Sequence, residues 1–247
     1  YGSGVAGGNE SAAEELGMNV VMSEGYSATA PDLSSLVTKL KRSRPDVILH
    51  TGYNPDITLF LRQAKEQGLR FKALIGHGAG YGVPDKLYDA LGSDIDHIFN
   101  VDPVSIWLLD PKSLAAGLPE ITEMVGTEYQ KAKPEMKVKS ASLGQGASNS
   151  FVFFDDVLPR AIKKYGGIDS EALRKAAMDT DIATGGTLLG YGVKFPQKGE
   201  NDMMGQNKRA SPVVMQYVDR KVFIAWPKAL QTIDPVLPLP SSSSFSK

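Results

Sequence analysis

Residues 46–81 read DVILHTGYNPDITLFLRQAKEQGLRFKALIGHGAGY, and the order of signals within them decides the fold. Val47-Ile-Leu49 is a short apolar run suited to a buried strand. Asn54-Pro55-Asp56 then starts a helix: Asn is a good N-cap, proline in the first turn loses no needed hydrogen bond, and Asp favours the positive helix end. Ile57, Phe60, Leu61 and Ala64 recur at helical spacing as one apolar stripe, which Gly68 closes. Ala73-Leu-Ile75 is the next strand. Strand–helix–strand at this rhythm predicts right-handed crossovers and an α/β fold, a parallel sheet with helices on both faces.

The same alternation extends outward. Residues 3–16 predict a helix closed by Gly17, and Met18–Ser23 a further strand. Pro31 and Asp32 open a helix carrying Leu33, Leu36, Val37 and Leu40, which Pro45 stops. Pro84–Leu91 reads as a short helix and Ile95–Val101 as a fourth strand. After Asp102-Pro103 the pattern turns helical, over about 118–132, 146–165 and 169–179. Phe151, Phe154, Leu158, Ala161, Ile162 and Tyr165 share one face of the middle helix. Beyond Gly185-Gly186 the residues turn to β, with VVMQYV (213–218) and KVFIAW (221–226) forming a hairpin across Asp219-Arg220, a mediocre turn pair. The Pro- and Ser-rich tail DPVLPLPSSSSFSK is a surface strap or a frayed end. Three regions are expected: an α/β lobe over 1–101, a mainly helical portion over 102–185, and a β-rich return segment with the tail over 186–247.

Composition narrows the function classes. The 247 residues are 42% hydrophobic and 22% charged, ordinary values for a packed chain. With 27 Lys and Arg against 28 Asp and Glu, the net charge of −1 gives no basic footprint for nucleic acid. The basic run Lys39–Arg44 is explained by a solvated helix face. There is no cysteine, hence no disulfide, thiol chemistry or thiolate metal site. No stretch approaches the ~20 apolar residues of a membrane-spanning helix, and no signal peptide opens the chain.

Gly2, Gly4 and Gly7 carry the G-x-G-x-x-G spacing of a dinucleotide-binding loop, and Glu24 stands about where a ribose-binding acid is wanted. That motif needs a strand to deliver the chain into the glycine turn, yet only Tyr1 precedes Gly2, and Gly7-Gly8 fall inside the expected helix. A glycine-rich start running into a helix is the preferred reading, with a Rossmann-type NAD-dependent oxidoreductase as the alternative. No G-x-S-x-G elbow, Walker loop, paired-carboxylate motif or metal-spaced His pair is present, so no catalytic residue, metal or cofactor is expected.

In open parallel sheets, ligands bind beyond the carboxyl ends of the strands. Those ends carry Glu24-Gly-Tyr26-Ser27, then Thr51-Gly-Tyr53-Asn54, then the loop 76–81 with His77, Gly78 and Tyr81, and finally Asp102. Glycines there permit close backbone approach, tyrosine rings can lie on an apolar ligand, and His77 offers a switchable donor and acceptor. Tyr53, Asn54, His77, Gly78 and Tyr81 are the candidates, whereas His50 and His97 read as structural or exposed.

Several of these stretches together resemble the periplasmic solute-binding proteins of branched-chain amino-acid type ABC importers. They are YGSG (1–4), the helix ending at Leu16-Gly17, NVV (19–21), residues 32–69, KALIGHGAGY (72–81), VLPRAIKKYGGIDSEALRKA (157–176), GGTLLGYGVKF (185–195) and SPVVMQYVDRKVFIAWP (211–227). The resemblance implies two α/β lobes of the type I fold that close about a hinge around a small solute. It also implies ABC permease subunits as partners and a periplasmic location. It places the start of this chain at the start of the second lobe, leaves most of the first lobe out, and puts crossings near Asp102-Pro103 and Gly185–Gly190. The surface so left uncovered offers a route to a homodimer. A ligand-sensing regulatory protein on the same fold is a further alternative. Amino-acid binders of the family use tyrosines at the places of Tyr1 and Tyr53, and an acid, for the ligand ammonium, at the place of His77. The histidine implies that the ligand is not an ordinary α-amino acid, or that another acid such as Glu24 takes the role. A small carboxylate, an aromatic acid or a neutral amide would suit His77 with Tyr53 and Tyr81.

Overall fold

The computed structural model describes residues 1–78, 80–135, 141–196 and 205–247. In chain order, residues 1–102 hold α1 (Gly2–Glu15), α2 (Ser34–Ser43), β1 (Val47–Thr51), α3 (Asn54–Glu66), β2 (Ala73–His77), α4 (Pro84–Leu91) and β3 (Phe99–Asp102). Then come α5 (Leu118–Ala132), α6 (Ala141–Val152), α7 (Leu158–Tyr165) and α8 (Ser170–Met178), followed by the short β4 (Asp181–Ile182) and β5 (Val193–Lys194). The hairpin β6 (Val213–Val218) and β7 (Lys221–Trp226) closes the series. Two compact units result, Tyr1–Asp102 with Val213–Lys247, and Pro103–Pro212.

The first unit is built on a sheet of order β1-β2-β3-β6-β7. Its first three strands are parallel, in the register Thr51↔His77 and His77↔Val101, and the hairpin is added antiparallel through Asp102↔Val213. Ile48 and Leu74 face α2–α4 and join Val37, Ile57, Phe60, Leu61 and Leu87 in one core. Each such side chain contributes about 1.5–3 kcal/mol by leaving water. The opposite face is covered unevenly. A small cluster of Ala73, Phe99 and Ala225 sits at its centre, whereas α1 runs beside β1 without burying any of its own residues. Val47 and Leu49 stay exposed there.

Helix α3 keeps the expected stripe but starts differently. Asn54 is its first helical residue rather than its cap, and Asp56 Oδ1 accepts the Tyr53 N–H at 3.0 Å from inside the first turn. Its far end winds through Gly68 at φ +64°, with Leu69 N–H on the Ala64 carbonyl at 2.8 Å.

Other expectations are corrected. Met18–Ser23 forms no strand: the run belongs to no ladder of the described sheet, and Met18 and Val21 are exposed. Its Met, Asn and Ser have weak β preference and bury too little against α1 to hold an edge pairing. The strand expected over 95–101 starts only at Phe99, because Gly92–Ile95 is a 3₁₀ turn and His97 takes φ +67°. Asp94 and Asp96 anchor that turn, to Lys65 at 2.6 Å and to the Tyr88 hydroxyl at 2.6 Å. The long middle helix of the second unit is interrupted by a π turn at Phe153–Val157. Ala161 is buried as expected and Val157 joins it, whereas Phe154, inside the wider turn, and Ile162, after it, both expected on the same buried face, are exposed.

The β6–β7 turn shows how an unfavourable pair is accommodated. Asp219 and Arg220 both take positive φ, 50° and 61°, as a type I′ turn requires. Asp96 accepts the Asp219 N–H at 2.8 Å, and Arg220 reaches Asp89 at 3.0 Å over the Tyr88 ring. The tail is a docked strap: Phe245 is buried and stacks on Phe71 at 5.2 Å, and their backbones bond at 3.0 Å. No helix among the described residues is long and apolar enough to cross a membrane.

Candidate functional site

The parallel strands deliver Tyr53, His77 and Asp102 to one rim of the first unit, because β1, β2 and β3 are adjacent and end within one residue of register. Tyr1 meets them from α1. Its hydroxyl stands 3.0 Å from His77 Nδ1, and its ring lies 6.2 Å from both the Tyr53 and His77 rings. Gly78 makes this possible: at φ +89° it takes a conformation L side chains rarely adopt, and a Cβ there would lie within 2.9 Å of Tyr1 Cζ. Tyr53 remains half exposed, so its ring face is available.

Beside these rings opens a cleft of about 540 Å³ lined by Tyr1, Ser3, Glu24, Tyr26, Thr51 and Tyr53, among others. Among the described residues its wall carries no Lys or Arg, whereas Glu10, Glu24 and Asp56 contribute carboxylates. Asp102, the last residue of β3, is held by the Asn100 amide at 3.3 Å. Burial raises its carboxyl above the usual range, against the Asn100 hydrogen bond and the field of His77, both of which favour the charged form. The Tyr1 phenol is raised as well, first by burial and then by Asp102 and Tyr53. Phenol faces beside carboxylates and an imidazole suit a small ligand that presents N–H groups on a compact apolar body.

The other sequence-selected residues lie differently. Glu24 is on the cleft wall but is paired with Lys39. The Asn54 amide reaches the Gly80 carbonyl at 3.5 Å and ties the two loops together. Tyr81 is fully buried, so its ring offers no surface to a ligand; its hydroxyl stands 2.7 Å from His50 Nδ1. The ring tucks against Gly76, which left it room beneath the sheet. Gly2, Gly4 and Gly7 are all helical within α1 and form no tight strand-to-helix turn, so they do not build the phosphate cradle their spacing suggested. Ala79 lies outside the described residues.

Three participants were missed or undervalued in the sequence: Tyr26, His50 and Asp56, joined to one another along the cleft wall. The spacing that signals them is a strand position, His50, pointing to the same sheet face as Gly76. Burial lowers the His50 imidazole from 6.5 to about 4. The unfolded chain therefore binds the extra proton between these values while the folded chain does not. Stability is expected to fall as the pH drops from 6.5 to 4, by up to about 3 kcal/mol from this group alone. Urea midpoints across that range check it; a His50→Gln variant should lose this component of the slope, and an unchanged slope would contradict the burial.

The fold agrees with what the chain is similar to. The family model described as "Periplasmic binding protein" matches residues 1–213. The Leu/Ile/Val-binding protein homolog 7 of Brucella abortus (strain 2308) is 35% identical over 230 residues, 93% of this chain and 53% of the relative. A leucine binding protein from Thermotoga maritima superposes with a TM-score of 0.61 at 20% identity, covering 85% of this chain and 52% of that one. A fatty acid ABC transporter substrate-binding protein from Thermomonospora curvata gives a TM-score of 0.68 at 18% identity, covering 96% and 58%. These structural likenesses concern the fold alone. The chain spans about half the length of the curated relatives it matches. With the match running from Tyr1 through β1–β3, the rim and the whole second unit, the chain belongs to the periplasmic binding protein family.

Proposed function

We propose that this chain is the ligand-facing portion of a solute receptor that serves an ABC importer in the periplasm. It captures a small metabolite and presents it to membrane permease subunits without transforming it. The observation that carries this reading is the convergence of Tyr1, Tyr53, His77 and Asp102 at the carboxyl ends of three adjacent parallel strands, beside an open cleft. Family membership and the relatives' names support it. Closure about a hinge, with the chain leaving the first unit at Asp102-Pro103 and re-entering it at Pro212-Val213, belongs to the same proposal.

The wall chemistry narrows the solute. A free carboxylate finds no cationic side chain on the described cleft wall, whereas an ammonium or amide N–H finds the Glu10 and Asp56 carboxylates and the Tyr1, Tyr26 and Tyr53 phenols there, with His77 and Asp102 on the adjoining rim. Amino acids and small amides therefore fit this unit better than simple carboxylic acids, and Asp102 rather than the Lys39-paired Glu24 is the acid closest to the role expected of a carboxylate here. A thermal-shift screen of amino acids, amides and carboxylates tests this. The first two classes should raise the melting temperature. Tyr53→Ala should weaken binding by about ten- to a hundredfold, the loss of one aromatic contact surface. Stabilisation by carboxylates alone, or binding untouched by Tyr53→Ala, would overturn the assignment.

A further inference from the structure

From the cleft wall at Tyr26, His50 and Asp56 a chain of hydrogen bonds runs inward to the buried Tyr81. The Tyr26 hydroxyl donates to Asp56 Oδ2 at 2.6 Å and stands 2.7 Å from His50 Nε2. On its other side the His50 ring stands 2.7 Å, through Nδ1, from the Tyr81 hydroxyl. Asp56 Oδ1 accepts the Tyr53 N–H at 3.0 Å, so the chain ends on the backbone of the loop that carries the exposed ring.

The directions follow from the available protons. Tyr26 has one proton and gives it to Asp56, so it can only accept from His50, which must carry its proton on Nε2. Nδ1 is then an acceptor, and Tyr81 donates to it. The order is Tyr81 to His50 to Tyr26 to Asp56, with Tyr53 N–H closing on the same carboxylate. The Tyr26 hydroxyl is thereby committed, and what it offers the cleft is its ring.

Glycines leave the room for this chain. A Cβ on Gly76 would lie within 2.6 Å of Tyr81 Cδ1, and one on Gly52 within 2.9 Å of the Tyr26 hydroxyl. Phe60 of α3 packs on the His50 ring at 4.4 Å, and Tyr217 of β6 donates to the Tyr81 carbonyl, so the chain is clamped from other elements at its middle and at its Tyr81 end. The groups facing His50 are thus two phenols and an apolar ring, with the Asp56 carboxylate one bond further away.

We propose that this buried relay is a positioning device for the ligand cleft, in which His50, in its Nε2-protonated form, holds the Tyr26 and Tyr53 walls in register. His50 is nearly buried at the wall and acts through its neighbours. The inference rests on the receptor reading for its purpose but has its own readouts.

The test is NMR of the whole chain carrying ¹⁵N-histidine and fluorotyrosine, with L-leucine as the binding probe. His50 should show a protonated Nε2 and an unprotonated Nδ1 at neutral pH. His50→Phe and Tyr81→Phe, which removes only the terminal hydroxyl, should shift or broaden the Tyr26 and Tyr53 signals and leave Tyr165 of the second unit unmoved. His50→Gln, which keeps one donor and one acceptor, should restore them in part. Leucine binding should weaken about tenfold in the Phe variants. An Nδ1-protonated His50, or Tyr26 and Tyr53 signals unchanged in both Phe variants, would overturn the relay. Failure of leucine to bind the unaltered protein would count against the amino-acid arm of the proposed function, while the tautomer and tyrosine signals judge the relay separately.

Discussion

Gly76→Ala is expected to cost about 3 kcal/mol or more of folding stability, far beyond what alanine usually does in a strand. A Cβ at this position meets Cγ, Cδ1 and Cδ2 of Tyr81, with Cδ1 only 2.6 Å away. The ring cannot retreat. It is fully buried, its hydroxyl is held at His50, and its carbonyl receives the Tyr217 hydroxyl. Gly76 itself pairs with His50 and Asn100 on the neighbouring strands, so the backbone is equally fixed. Gly8→Ala in α1 is the control: nothing lies within 4 Å of its Cβ, and the change should be neutral or stabilising by up to about 1 kcal/mol. Urea unfolding of the two variants decides the matter. A Gly76→Ala protein as stable as the parent would mean that the Tyr81 ring is not seated under β2.

Phe245→Ala, close to the end of the chain, is expected to cost about 3–5 kcal/mol, the range for a buried Phe truncation. Its ring is 1% exposed and stacks on Phe71 with an interplanar angle of 16°. Leu239 N–H bonds the Lys72 carbonyl at 2.7 Å, and Lys247 reaches Asp46 at 2.5 Å, so the strap is fastened on both sides of Phe245. A surface serine such as Ser242, replaced by alanine, should change stability by less than about 0.5 kcal/mol. A mild Phe245→Ala phenotype would show that the tail frays in solution.

The parts of the fold legible in the sequence were those where one periodicity had no competitor. The hairpin strands 213–218 and 221–226 and the stripe of Ile57, Phe60, Leu61 and Ala64 came out as read: the strands are short β-branched and aromatic runs about a turn, and the stripe matches a single buried helix face. Met18–Ser23 misled because apolar content alone cannot supply a ladder partner. The face of Phe151 to Tyr165 kept Ala161 and Tyr165 but lost Phe154 and Ile162, within and after a π turn that carries no marker in composition.

At the rim, strand-end reasoning brought Tyr53 and His77 together, and the resemblance added Tyr1. Tyr81 went the other way: a tyrosine after a glycine loop reads alike whether its ring enters a cleft or a core, and only Gly76 beneath it decides. The loop glycines were read as leaving space for a ligand. Gly52, Gly76 and Gly78 instead leave space for Tyr26, Tyr81 and Tyr1, side chains of the protein itself.

The most direct test is a ¹H–¹⁵N chemical-shift map of the chain titrated with whichever solute raises its melting temperature. The largest changes should fall on Tyr53, His77, Gly78 and Asp102, and should disappear in a Tyr53→Ala, His77→Ala double variant that remains folded. Changes confined to the basic depression of Lys41, Arg42 and Arg44, with the strand-end residues silent, would contradict the account.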